Sequence, residues 1–351
     1  MSVVKKKKMK AYRILELGKP PVLKEIYVPY PGQGELLIRM GGAGLCRTDL
    51  EVIDHGIEIL PWKGPFTLGH ENAGWVEILG PGVTGFEVGE AVISSCIHSC
   101  GHCEACLLGN DNYCESASAR GLAEDGGLAE YMIADQRQLI SLGSIDPGTY
   151  APLSDAALTP YGAVDHARCK IPGNGIAVVI GIGGLGYYAV QFLRELTSAR
   201  IIAVDISPER LDVAKNIGAS DLVISDAEAM DKIMRLSEGK GVHAAFDFVG
   251  NDISMNLCAK VTRCMGIITV NGLGGGTLNF SWGNVKPGVD VRFSQGGSLA
   301  QMRSIIDLVR RDKISVEVQA FEFHQLYDAL DALRNGKLKG RAVIKFAKSD
   351  E

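Results

Sequence analysis

The sequence contains no run of about 18 apolar residues, the length a helix needs to cross a bilayer. It also has no apolar stretch near its start of the kind that marks a secretory leader. Both absences point to a cytoplasmic protein with no membrane partner. An excess of positive charge is missing too. Lys and Arg total 36 against 41 Asp and Glu, a net charge of −5, which argues against a general nucleic-acid binder. The basic run Lys5–Lys8 is local and reads as a solvated tail. Met9-Lys10-Ala11 reads as a start in its own right, which makes residues 1–8 an extension. There are no internal repeats. What the chain does have is 351 residues, 46% of them apolar, enough for two domains with a full core. It also has nine cysteines. Without a leader these favour a reducing compartment, where metal binding or catalysis outranks disulfides.

Two grammars divide the chain. Residues 9–150 alternate short apolar runs ("ELLIRM", "GWVEIL", "AVISS") with Gly/Pro turns ("PYPGQGE", "GPGVTGFEVGE"). That pattern predicts a small barrel-like β domain with long loops. Near residue 159 strands begin to alternate with helices. "IAVVIGIGGLG" precedes a helical "YYAVQFLREL", "ARIIAVD" follows, and "SPERLDVAKNIGA" is a helix with Ser207 as cap, Pro208 first and Gly218 past its end. Alternation of this kind implies an α/β, doubly wound parallel sheet covered on both faces. The expected domains are 1–158, 159–297, and a C-terminal segment 298–351 whose last strand rejoins the first domain.

Gly181, Gly183 and Gly186 form G-x-G-x-x-G after a β-branched strand and at the opening of a helix. In that context the first glycine allows a tight turn, the second admits a pyrophosphate, and the third lets helix and strand pack closely. The helix N-terminus then favours the diphosphate charge. Asp205 ends the next strand, where a carboxylate accepts bonds from ribose hydroxyls and repels a 2′-phosphate. NAD is therefore expected over NADP, with Arg210 in a position to soften that preference.

Cys100, Cys103, Cys106 and Cys114 follow C-x2-C-x2-C-x7-C within a lobe of about residues 96–115. Four thiolates close a tetrahedral zinc site with no open position, so the metal would be structural. A ferredoxin-type cluster places its fourth cysteine after three residues and before proline; Cys114 comes after seven and precedes Glu115. His98 and His102 read as bystanders. A second group is dispersed: Cys46 in "GLCRTDL", His70 beside Glu71 in "LGHENAG", and Asp155, a carboxylate in the apolar run "YAPLSDAALTPYG". Thr159-Pro160 makes the better helix start there, with Thr159 as cap, which leaves Asp155 without a local task.

These motifs (Gly44 to Asp49, Gly69-His70-Glu71, the four-cysteine lobe, Ala151-Pro152-Leu153, and the glycine fingerprint with Asp205) resemble the zinc-dependent alcohol dehydrogenases of the medium-chain dehydrogenase/reductase superfamily. The resemblance runs from about Met9 to Phe346 and is greatest to bacterial and archaeal NAD-dependent secondary-alcohol dehydrogenases. It implies a GroES-like catalytic domain, a Rossmann domain, and an active site in the cleft between them. It also implies two zinc ions per chain and hydride transfer between an alcohol or ketone and NAD, in a homo-oligomer, tetramer or dimer, through strands near "VRFSQG". The implied catalytic ligands are Cys46, His70 and Asp155, where many relatives have cysteine as the third, with Glu71 able to approach the metal. Thr48 would relay the alcohol proton, and Asp49 would partner the ligating histidine. A relay histidine found in several relatives is missing: position 51 is Glu51, and the nearest histidine is His55. Arg47, Gly184, Leu185, Val249, Val270, Gly272 and Arg341 join the fingerprint, Asp205 and Arg210 as expected coenzyme contacts. Trp62, Leu122 and Leu299 are candidates for an apolar substrate pocket suited to a medium-sized secondary alcohol. Polyol, L-threonine and hydroxyacyl-CoA-type dehydrogenases share the scaffold, and a non-catalytic NAD-binding regulator is the reading from a different class.

Overall fold

The computed structural model describes residues 7–56 and 64–346. It divides into two units. The first is drawn from Met1–Ala156, Ser298–Arg311 and Ser315–Glu351, the second from Ala157–Gly297 and Asp312–Ile314. The second unit begins at Ala157 and includes the helix Leu158–Ala167.

The first unit is β-rich. A seven-stranded sheet runs in the order Leu139–Ser141, Ala91–Ser94, Glu71–Leu79, Glu35–Gly44, Arg341–Lys345, Val318–Glu322, with Tyr131–Asp135 also pairing onto Glu35–Gly44. Alternation builds its core: Leu36, Ile38 and Met40 point inward with Val76, Val92, Met132 and Leu139. The C-terminal strand Arg341–Lys345 joins this sheet with Val343 opposite Gly44 in antiparallel register. A three-stranded sheet (Val22–Tyr27, Lys8–Ile14, Phe66–Thr67) packs Tyr12 and Ile14 with Leu50, Ile53, Leu326 and Leu330.

The register fixes the site. Glu35–Gly44 ends where its two antiparallel neighbours begin, since Gly44 lies opposite both Glu71 and Val343. The residues just past the end of the first strand and at the starts of the other two, Cys46, His70, Glu71 and Arg341, therefore share one end of the sheet.

The second unit holds six parallel strands in the order Asp221–Ile224, Arg200–Asp205, Ile176–Ile180, Val242–Asp247, Thr262–Val270, Asp290–Phe293. Numbered along the chain this is 3-2-1-4-5-6, the dinucleotide-binding order. The central strand "IAVVI" is buried along most of its length, as a sheet covered on both faces requires. Ser207 caps Pro208–Ile217 by accepting from the Arg210 N–H at 3.3 Å, and Gly218 ends that helix at φ 123°. Thr159 does not cap as expected. The helix Leu158–Ala167 is entered from Ala157, already in helical conformation, and an N-cap requires an extended residue.

Candidate active site

Cys46, His70 and Asp155 converge in the first unit, each offering one ligand atom within 4.8 Å of the others. Cys46 precedes the helix Arg47–Asp54 in extended conformation, and the chain turns into that helix through Asp49. Asp49 is fully buried and its carboxylate serves two ligands at once. Oδ2 accepts from the Cys46 backbone N–H at 2.7 Å, and Oδ1 lies 3.0 Å from His70 Nδ1. With Nδ1 held as donor, Nε2 is left as the ligating nitrogen. It points at Asp155 Oδ2, 3.5 Å away.

Asp155 ends the 3-10 turn Ala151–Ser154, its backbone N–H donating to the Pro152 carbonyl at 3.4 Å, while its carboxylate turns to the site. Its carboxylate also lies 3.3 Å from Arg341 Nη2. Burial alone would raise its pKa, but the bond from His70 and the charges of His70 and Arg341 outweigh burial and hold it well below the carboxylate range. For His70 burial works toward the neutral ring, and the carboxylates of Asp49 and Asp155 override it and raise the pKa. A metal ion is the positive group this arrangement suits. Sulfur, imidazole nitrogen and carboxylate oxygen, one of each, make a three-ligand set of the kind found at catalytic zinc with a position to spare.

Arg341, which the sequence placed with the coenzyme, is buried here. Its Nε donates to Glu71 Oε2 at 3.1 Å, and its Nη2 bonds Glu71 Oε1 and Asp155. Glu71 is fully buried and accepts a further bond from the Ala156 N–H at 3.2 Å. Burial pushes its carboxyl up to about 7, with Arg341 working against the shift and Asp155 adding to it. Glu71 is thus held at the group by a guanidinium, a pairing separated by 270 residues that no local pattern announces. Cys96 lies by the same group, and burial first, then Asp155, push its thiol up to about 12. It is a neutral neighbour of the three ligands.

Thr48 Oγ1 lies 3.5 Å from Cys46 Sγ. Arg47 is largely exposed, 3.8 Å from Glu51, and His55 is exposed. Leu122 packs on the core of the first unit. Leu299 opens the helix Leu299–Arg310 beside a cleft of about 380 Å³ that Phe86, Arg137 and Arg303 also line. Trp62 lies outside the described residues.

The four lobe cysteines, Cys100, Cys103, Cys106 and Cys114, also bring their sulfurs within 4.8 Å of one another. Cys103 and Cys114 are 3.9 Å apart, close to the roughly 3.8 Å edge of a tetrahedron with Zn–S bonds of about 2.3 Å. Backbone N–H groups point at the sulfurs, Cys103 N at Cys100 Sγ (3.4 Å) and Cys100 N at Cys114 Sγ (3.3 Å). Such bonds from His102 and Cys103 lower the Cys100 thiol to about 6 and favour the thiolate a metal needs. His102 turns its Nδ1 to the Cys100 carbonyl, and His98 lies 3.5 Å from Glu124. Neither joins the sulfur group.

In the second unit Gly181 has φ 87°, and a Cβ on Gly186 would sit 1.9 Å from the Gly181 carbonyl oxygen. A Cβ on Gly183 would meet nothing. The protein therefore does not need that glycine for its own packing, and its bareness leaves room for a ligand at the helix Gly184–Leu196, which also carries Leu185. Asp205 is buried and oriented by the N–H groups of Ile182 (2.7 Å) and Ser207 (2.9 Å).

Residues 32–144 match the alcohol dehydrogenase GroES-like domain, and residues 184–311 match the zinc-binding dehydrogenase domain. An NAD-dependent alcohol dehydrogenase of Sulfolobus acidocaldarius is 31% identical, covering 96% of this chain and 99% of the relative. Among solved structures, the alcohol dehydrogenase of Aeropyrum pernix superposes with a TM-score of 0.90 at 34% identity, covering 96% of this chain and 99% of that one. The D-arabinose dehydrogenase of Sulfolobus solfataricus gives 0.84 at 28%, covering 97% and 99%. With both domain models matched and the relatives spanned nearly end to end, the chain belongs to the zinc-binding alcohol dehydrogenase family.

Proposed function

We propose that this protein is a zinc-dependent, NAD-linked alcohol dehydrogenase, moving a hydride between a medium-sized secondary alcohol or its ketone and NAD. The observation that carries this reading is the convergence of Cys46, His70 and Asp155, with Asp49 orienting two of the three. Bound there, zinc would supply a Lewis acid that lowers the pKa of an alcohol hydroxyl. The rest is the work of the chain. Asp49 keeps His70 in the tautomer that ligates through Nε2. Thr48, beside Cys46 Sγ, has a hydroxyl that both accepts and donates, as handing on the alcohol proton requires. Gly183 and the helix start behind it cradle the pyrophosphate, with Gly184 and Leu185 at its first turn. Asp205, held by two N–H groups, presents its remaining lone pairs to the ribose hydroxyls and its charge against a 2′-phosphate.

In the same reading, Cys100, Cys103, Cys106 and Cys114 hold a second, structural zinc, for two per chain. Nine free cysteines suit the reducing cytoplasm. The chain assembles as a homo-oligomer, and among the described residues no helix is long and apolar enough to cross a membrane.

Metal analysis combined with NADH formation tests the proposal. The wild type should carry two zinc ions and oxidise secondary alcohols. Asp155→Ala should lose at least about 100-fold in kcat/KM, keep the zinc of the cysteine lobe, and retain the fold. Full activity in that variant would remove Asp155 from the ligand set. Likeness to an arabinose dehydrogenase keeps polyols on the substrate panel with L-threonine and hydroxyacyl-CoA. One zinc per chain with no turnover of any of them would identify a non-catalytic NAD-binding protein.

A further inference from the structure

One buried carboxylate in the second unit has no part in the chemistry above. Asp247 ends the strand Val242–Asp247, between the strands Ile176–Ile180 and Thr262–Val270, and has no exposed surface. Among the described residues it forms no ion pair, although a buried charge ordinarily has a partner. Three donors satisfy it instead. Oδ1 accepts from the backbone N–H groups of Val249 (2.8 Å) and Gly250 (2.9 Å), and Oδ2 accepts from Ser254 Oγ (2.8 Å). Its backbone carbonyl accepts from Asn271 N (2.8 Å) and Gly272 N (3.0 Å). One residue thus binds both the loop after its own strand and the loop after the next.

The two loops are pressed together. A Cβ on Gly272 would lie 2.2 Å from the Val249 carbonyl carbon and 2.4 Å from Gly250 N. Val249 in turn abuts the fingerprint, with its Cγ2 2.7 Å from where a Gly181 Cβ would stand. Both loops follow the carboxyl ends of parallel strands, the first strand beside the central one and the second next to it, at the end of the sheet where doubly wound folds bind dinucleotides. Burial raises the Asp247 carboxyl, and the bonds from Gly250, Ser254 and Val249 only partly offset it. Two backbone donors on one oxygen and a hydroxyl on the other hold this loop in one conformation.

From this geometry we infer that Asp247 is a positioning residue for the coenzyme, setting Val249–Gly250 against Gly272 and Gly181 while its own carboxylate faces inward. The inference rests on the NAD reading above. It is tested in the full-length, zinc-loaded protein with Asp247→Asn, which keeps the shape but replaces one carboxylate oxygen by an N–H₂, so the Ser254 hydroxyl must turn from donating to accepting. NADH is titrated by protein fluorescence, and KM for NAD, kcat, zinc content and Tm are measured alongside. The expected result is a rise of about tenfold in both the NADH Kd and the KM for NAD, with kcat within about threefold and zinc unchanged. Unchanged coenzyme affinity with only a lower Tm would make Asp247 a purely structural cap and overturn the inference. A wild type that binds neither NADH nor NADPH would overturn the coenzyme reading itself. If Asp247→Asn does not fold, Ser254→Ala, which removes the Oδ2 partner together with the hydroxyl that accepts from the Asn251 N–H, is measured in the same way. A rise of about threefold in KM for NAD supports the inference, and no change overturns it.

Discussion

Gly44 and Glu71 face each other across two antiparallel strands. A Cβ on Gly44 would lie 1.8 Å from Glu71 Oε2 and 2.9 Å from Glu71 Cβ. The missing side chain is what gives the carboxylate its place, and that place brings it to Arg341. Gly44→Ala should therefore expel the Glu71 carboxylate and leave Arg341 buried without its bidentate partner. Breaking a buried pair from one side costs on the order of 3–5 kcal/mol. The check is a double-mutant cycle by urea unfolding of the zinc-loaded protein. The cost of Gly44→Ala should be large in the wild type and fall to about 1 kcal/mol or less where Glu71 is already glycine, which removes both the carboxylate and the Cβ. Equal costs in both backgrounds would mean that the glycine serves the backbone alone. Single residues also mark how far the sequence could be read. The fingerprint glycines, Asp205 and the lobe cysteines announce themselves because their partners lie within one loop or one strand–helix step. The Glu71–Arg341 pair joins residues 270 apart, and Asp49 binds His70 across 21. Only strand register brings such groups together, so neither the Glu71–Arg341 pair nor Asp49's bond to the Cys46 N–H is legible from the sequence.

At the scale of the element, the helix Arg47–Asp54 carries Thr48 and Asp49 at its start and is fastened at its other end. Leu50 and Ile53 pack on Leu326 and Leu330 of the helix Leu326–Arg334 and on its surroundings. Arg334 grips Asp54 with two nitrogens, one bond at 2.8 Å. The bond from Arg334 is the largest influence on Asp54 and lowers its pKa. A depressed carboxylate contributes its stability in full above the unfolded-state value of about 3.9 and loses it as pH falls through the folded value. Arg334 is about half exposed, so screening limits the pair to about 1 kcal/mol. Arg334→Met should lower the urea midpoint slightly at pH 7, and the difference should close as pH falls below about 4. A gap that persists undiminished there would assign the effect to packing. In the second unit, the helix Leu158–Ala167 shows where element boundaries escape the sequence. Thr159-Pro160 carries the residue types of a helix start, yet the preceding turn already delivers Ala157 in helical conformation, and this decides the boundary.

At the scale of the whole molecule, the parallel sheet ends in the strand Asp290–Phe293, which pairs only with Thr262–Val270 among the described residues. An open edge is a template for another strand, and proteins usually blunt it with charge or short length. Here Phe293 is 68% exposed, and the segment leading to the strand displays Leu273, Phe280 and Trp282, the last 95% exposed. Several large apolar side chains left in water beside an unpaired edge mark an association surface. In the homo-oligomer proposed above, a second copy of this chain would cover it, because an edge paired with its own symmetry mate continues the sheet and closes the assembly. The wild type should therefore run at a multiple of its 37.5 kDa chain mass in light scattering. Trp282→Glu combined with Phe293→Glu should shift that mass toward the single chain while the zinc content stays that of the wild type, since both candidate ligand groups lie in the other unit. A wild type that is monomeric at high concentration would leave these side chains without the partner argued for. A double variant that keeps its full assembled mass would move the interface away from this edge.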